Sequence, residues 1–199
     1  QYLGSVNTFV RQTAFARYYK KAFGPVVIKD NTELGLITSR KQVPVFERFY
    51  LGGIFTIRGY RLQSVGPQAG VASAGDPNLP IIPEGRPIGG DFQAFYNIEL
   101  EFPLIEAVGI KGVIFTDGGN AWNLFAFRDQ FNNCQAPVAP DSDRSSQPCG
   151  IHGFLRYSVG FGIRWFSPLG PLRFEWGVPI RRRPQDDPIR FEFTIGQSF

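Results

Sequence analysis

The sequence predicts an all-β protein, part of a transmembrane antiparallel β-barrel, and three observations carry that prediction. Apolar and polar residues alternate along segments of about ten residues, as they do on strands with lipid on one side and a polar lumen on the other. Aromatic residues reach 15% while charged residues are only 19% of the 199, a low charge for a soluble domain. No run approaches the roughly 18 apolar residues of a membrane helix, and short connections take turns with long ones.

The alternation is clearest in four segments. Over residues 92–102, Phe92, Ala94, Tyr96, Ile98, Leu100 and Phe102 form one face, against Gln93, Phe95, Asn97, Glu99 and Glu101. Over 155–165 the apolar face is Leu155, Tyr157, Val159, Phe161, Ile163 and Trp165, opposed by Arg156, Ser158, Gly160, Gly162 and Arg164. Leu172, Phe174, Trp176 and Val178 oppose Arg173, Glu175 and Gly177, and in the last segment Phe191, Phe193, Ile195 and Phe199 oppose Glu192, Thr194, Gly196 and Ser198. Three less regular strands are expected over residues 5–20, 25–39 and 108–117. A soluble sandwich would also alternate, but its strands are near 5 to 6 residues and its solvent face is usually rich in lysine.

Short links at 21–24, 103–107 and 167–170 separate long ones at 40–90, 118–151 and 180–189. Transmembrane barrels show this asymmetry, with short periplasmic turns and long extracellular loops. Seven strands cannot close a bacterial barrel, whose strand number is even. The remaining strands are expected before Gln1, in keeping with a chain that contains no methionine. Residues 61–90 hold six glycines and five prolines and read as a bare loop, of a length that is usually functional or disordered.

At the entrance to that loop stands Phe55-Thr56-Ile57-Arg58-Gly59-Tyr60. A guanidinium among aromatic and aliphatic neighbours needs an anion, because its desolvation is otherwise costly. Glu99 is on a polar strand face and can supply one; alternatively Arg58 caps a turn near the surface. The net charge of +4 comes from scattered basic residues apart from Arg181-Arg182-Arg183, and without a basic stripe nucleic acid is not expected as a partner. That arginine cluster either meets lipopolysaccharide phosphates or is simply solvated. Cys134 and Cys149 either close one disulfide loop, worth roughly 3 kcal/mol at that length in an oxidising compartment, or remain thiols. Catalysis finds little footing: His152 is the one histidine, and neither an H-E-x-x-H nor a G-x-S-x-G segment occurs. Glu99 and Glu101 could imitate a glycosidase pair, but a partnership with Arg58 explains Glu99 better. No enzyme, metal or cofactor is expected.

Five motifs in order, Ile57-Arg58-Gly59-Tyr60, NIELEFP, TDGGNAW, SPLGPLRFEWGVP and the terminal FEFTIGQSF, make the chain resemble the BamA-type outer-membrane assembly factors. The resemblance covers residues 1–199 and implies about the last seven strands of a sixteen-stranded barrel. Its long extracellular loops then lie at about 40–90 and 118–151, and the family's periplasmic repeat domains are absent from this stretch. In that family the loop carrying the motif folds into the lumen and its arginine pairs with acidic residues of the inner wall. By local pattern those residues are Glu99, four before Pro103, and Asp117, expected at the end of its strand.

The resemblance further implies a lateral gate at the last strand, formed by Phe191, Phe193, Ile195, Gly196 and Phe199. There client strands would add by edge pairing, and Gly196 matches a glycine at which the family's last strand kinks. The implied function is folding and insertion of β-barrel proteins into the bacterial cell outer membrane. The implied partners are unfolded outer-membrane client proteins, lipoprotein subunits of an assembly complex, and outer-membrane lipid and lipopolysaccharide. A sister translocation barrel, either a two-partner secretion pore or a translocation assembly module, is the alternative. An enzyme barrel would depend on His152.

Overall fold

In a computed structural model of the chain, the structure describes residues 9–39, 43–71, 82–124, 155–168, 170–180, 182 and 186–196. Nine strands are found among them: β1 (Phe9–Lys21), β2 (Val27–Ser39), β3 (Gln68–Val71), β4 (Ile82–Pro87), β5 (Phe92–Ile105), β6 (Ile110–Trp122), β7 (Arg156–Ser167), β8 (Gly170–Pro179) and β9 (Arg190–Ile195). Seven form one sheet in the order β1-β2-β5-β6-β7-β8-β9, every neighbouring pair antiparallel. Strands β3 and β4 form a separate two-stranded ribbon. Among the described residues there is no helix long and apolar enough to cross a membrane, and strands are unaffected by that criterion.

The sheet is inside out relative to a soluble protein. Along β5 the polar register Gln93, Asn97, Glu99 and Glu101 is buried, whereas Ile98 and Leu100 are exposed at 40% and 38%. The same inversion exposes Phe161, Ile163 and Trp165 on β7 and Phe191, Phe193 and Ile195 on β9. Aromatic pairs tile the apolar face across three strands: Phe161 stacks on Trp176, Trp176 packs on Phe191, and Phe174 packs on Phe193, with ring centroids 5.0 to 5.3 Å apart. Such cross-strand aromatic pairs stabilise sheet edges by roughly 0.2–1 kcal/mol each. Burial of the polar face comes from the segment between β2 and β5, which lies against it. Leu51, Ile57, Tyr60 and Val65 of that segment cluster with Phe95 and Ala121 of the wall, and Phe49 joins Ile37 and Val43 in a second cluster.

Local chemistry holds this segment in place. Phe49 and Gly90 exchange backbone hydrogen bonds of 2.8 and 2.9 Å, and Leu51 and Val65 do so at 3.3 and 3.0 Å. Between them the chain turns at Gly52 and Gly53, with φ of 107° and 97°, a region only glycine enters cheaply. The Thr56 hydroxyl accepts from Gly52 N–H at 2.8 Å and fixes the tight turn that presents Ile57 and Arg58.

Two sequence expectations are corrected. Residues 61–90 are not a bare loop, because β3 and β4 pair within them. Their proline content hid the ribbon, yet β4 is an edge strand, where a missing N–H is tolerated. The strand expected over 108–117 instead spans Ile110–Trp122, with Val108 in a 3-10 turn closed by Gly109 at φ 70°. Asp117 is therefore in mid-strand rather than at a strand end. Residues 118–122, glycine-rich and without alternation, pair with residues 92–96 of β5; glycine is needed there because a Cβ on Gly119 would lie 2.4 Å from Phe95 Cβ. Cys134, Cys149, His152, Arg181, Arg183 and Phe199 lie outside the described residues.

Candidate functional site

Neighbouring strands of the sheet align inward positions in rows. Asn97 pairs with Asp117, which pairs with Ser158, and Glu99 pairs with Phe115, which pairs with Gly160, which pairs with Gly177. One row further along, Gly162 pairs with Glu175. Glycines at 160, 162 and 177 clear a hollow across β7 and β8, and the loop tip enters it. A Cβ on Gly177 would sit 2.4 Å from Gly59 N, and one on Gly59 would sit 2.9 Å from the Gly177 carbonyl carbon. Gly59 itself has φ 86°, so both its conformation and its clearance call for glycine.

Arg58, 1% exposed, is seated beside this hollow. Asp117 takes three of its donors: the Arg58 backbone N–H at 2.9 Å, Nε at 2.7 Å and Nη2 at 2.6 Å. Nη1 donates to Glu99 Oε1 at 2.6 Å and to Glu175 Oε2 at 3.1 Å. The guanidinium also stacks over the Phe115 ring, 3.6 Å from Cζ to the centroid, a cation–π contact that strengthens when water is excluded. Burial disfavours the charged form, but Asp117, with Glu175 and Glu99 behind it, raises the proton affinity of Arg58 above the ordinary arginine value. The side chain is a fixed positive charge.

The carboxylates have further partners. Arg164 donates to both oxygens of Glu99 at 2.9 and 2.7 Å and to Glu175 at 3.0 Å, while Arg173 holds Glu175 at 2.9 Å. Three guanidinium groups thus face Glu99, Asp117 and Glu175, and the neighbouring Glu101 is held by Lys29 at 2.6 Å and Lys111 at 2.8 Å. Such balance is what makes buried charge tolerable, since every ion finds counter-charge and hydrogen bonds. Tyr60 completes the seat: its hydroxyl donates to Tyr157 O at 2.8 Å, and Arg156 lies over its ring at 4.9 Å.

The structure therefore brings together Ile57, Arg58, Gly59, Tyr60, Glu99 and Asp117 at one site. Phe191, Phe193 and Ile195 stand apart, exposed on the outward side of β9, while Gly196 follows as a bend at φ 87°. Sequence reasoning missed Glu175, Arg164 and Arg173. Their signal was present in the strand phase, which puts all three on polar faces of adjacent segments.

An antiparallel membrane sheet whose polar face is filled by an arginine-anchored loop defines a class, the outer-membrane β-barrels with an inserted loop. The Omp85 superfamily domain matches residues 1–199, and the chain belongs to that superfamily. It is 29% identical over 164 residues to the outer membrane protein assembly factor BamA of Neisseria meningitidis serogroup B, covering 80% of this chain and 19% of that protein. It is 32% identical over 201 residues to BamA of Nitratidesulfovibrio vulgaris, covering 99% of this chain and 21% of that protein. The chain thus spans about a fifth of the length of these curated relatives. The crystal structure of Haemophilus ducreyi BamA lacking POTRA domains 1–3 superposes with a TM-score of 0.73 at 23% identity, over 96% of this chain and 35% of that one. The shared fold is the barrel, and the loop-covered face of the sheet is its lumen. This is an outer-membrane protein.

Proposed function

We propose that the chain is the barrel portion of an assembly factor that folds and inserts β-barrel proteins into the bacterial outer membrane. The observation that supports this reading is the Arg58 seat, in which one loop residue is bound by carboxylates of β5, β6 and β8 together. A tip joined to three strands buttresses the wall from inside, so a neighbouring strand can detach without collapse of the sheet. Strand β9 is the candidate for detachment. It is six residues long against fourteen for β5, and after Ile195 the backbone turns at Gly196. A client strand would add to its exposed edge by backbone hydrogen bonds, breaking no covalent bond and using no cofactor.

In this reading the segment that carries Arg58 enters the lumen from the extracellular side, and the outward aromatics meet lipid. Unfolded clients and lipoprotein subunits are partners of the whole protein. The inner-wall anchor is tested on the intact protein with Arg58→Glu, Glu99→Arg and their combination. The reading predicts impaired client assembly in both single variants; normal assembly in all three would refute it. The seam is tested separately by a cysteine crosslink between the neighbourhood of Gly196 and the barrel's first strand. Locking it should block insertion, and unimpaired insertion would rule out lateral opening at this edge.

A further inference from the structure

The contacts of residues 59–61 do not stop at the inner wall, because they reach the last strand by two routes. Arg61 grips Asp187 with both arms of its fork, Nη2 to Oδ1 at 2.9 Å and Nε to Oδ2 at 3.2 Å. Asp187 in turn accepts from Arg190 Nη1 at 3.0 Å, and Arg190 is the first residue of β9. The second route is packing: the backbone of Gly59 lies against Gly177 of β8, and within β9 Arg190 Nε lies 3.7 Å from Glu192 Oε1. Both routes converge where Gly177, the glycine under Gly59, pairs with Arg190. Nearby Arg156, which covers the Tyr60 ring, pairs with Asp186.

We propose that Asp187 is a positioning residue that fastens the loop tip to the start of β9. This rests on the assembly reading above and assigns the strand a direction of opening. The Arg190 end is held by the loop as well as by β8, whereas at the Gly196 end the described contacts are those to β8, with Gly196 N–H donating to Pro171 O at 2.9 Å. A Cβ on Gly196 would meet none of the described residues within 4 Å. The strand opens from Gly196 toward Arg190, and the Arg61–Asp187–Arg190 chain sets where opening stops. Displacement of the loop removes that stop.

The test is hydrogen–deuterium exchange by mass spectrometry on the intact protein in lipid vesicles, comparing residues 190–195 with residues 110–122 as an internal standard. Local opening of a strand is read directly as faster amide exchange. Asp187→Arg and Arg61→Asp should each speed exchange in β9 by about three- to fivefold, the range for a partly exposed ion pair, and leave β6 unchanged. Asp187→Glu, which keeps an anion between Arg61 and Arg190, should stay near the parent rate. Unchanged β9 exchange in the single reversals, equal acceleration in β6, or acceleration by Asp187→Glu as large as by Asp187→Arg would overturn the fastening. Client insertion measured on the same samples separates the two ideas. Faster β9 exchange with an unaltered insertion rate keeps the fastening and refutes the gate.

Discussion

Arg58 distributes its donors over carboxylates from three strands, and its geometry makes substitutions unequal. Lysine would keep the charge but lose the fork that engages Asp117 through Nε and Nη2; a point charge does not reproduce a planar bidentate contact. Arg58→Lys is therefore expected to free the loop nearly as fully as Arg58→Ala, which limited proteolysis of residues 43–67 in lipid vesicles will show. Glycine at 177 is equally constrained. Gly177→Ala would bring a methyl within 2.4 to 2.6 Å of Gly59 backbone atoms, and neither backbone can yield without leaving the hollow. The expected loss is about 1–3 kcal/mol, as for overpacked cores, measured as a lowered denaturation midpoint. Asp117 differs from its neighbours in that, among the described residues, its side-chain hydrogen bonds come from Arg58, whereas Glu99 and Glu175 are also held by Arg164. Withdrawal of the loop leaves Asp117 as the carboxylate without a counter-charge.

Among the elements, the fastening of loop to β9 and the Arg58 seat respond to solvent in opposite ways. Arg61 is largely exposed, and Asp187 sits below the ordinary aspartate range because Arg61 hydrogen-bonds it, with Arg190 behind. A depressed folded-state pKa means the contribution is complete above the ordinary aspartate range and fades as pH falls through the depressed value. Salt screens it too, with a Debye length near 3 Å at 1 M. Spin labels at the exposed positions 62 and 189 should show dipolar broadening that weakens in 1 M salt or strong acid. Protection of the buried Arg58 seat should persist in the same salt. How legible these elements were follows from their periodicity. Strands β5, β7 and β8 alternate cleanly, and their polar phase put Glu99, Arg164 and Glu175 on one side. Only Glu99 was singled out, since nothing in one strand's phase tells which polar residues of another will meet it. Asp117 came from motif resemblance alone, and its strand was cut short because residues 118–122 are buried on both faces and carry no alternation. Arg61 with Asp187 was invisible, being a contact between two irregular segments 126 residues apart.

At the scale of the molecule, exposed aromatic and aliphatic side chains outside and a charged, loop-filled interior describe a sheet that needs lipid on its outer surface. Depth should then grade the cost of a charge on that side. Ile98→Lys, in mid-strand, is expected to destabilise by about 2–4 kcal/mol, and Leu104→Lys, near a strand end, by about 0–1 kcal/mol, in urea titrations of the intact protein folded in lipid vesicles. Equal costs would argue against a membrane-spanning sheet. The central claim is that the loop is pinned from within by Arg58 and that the pin serves assembly. Its most direct test is a double-mutant cycle of Arg58→Ala and Asp117→Ala in the intact protein, with the rate of client barrel insertion into vesicles as the readout. Arg58→Ala strands Asp117, typically a loss of about 3–5 kcal/mol, and Asp117→Ala removes the fork's main partner, leaving Arg58 with Glu99 and Glu175. The account predicts that both singles slow insertion at least about tenfold and that the double is no slower than either, because the second change removes the charge the first had orphaned. Independent, additive losses, or wild-type rates in all three variants, would contradict it.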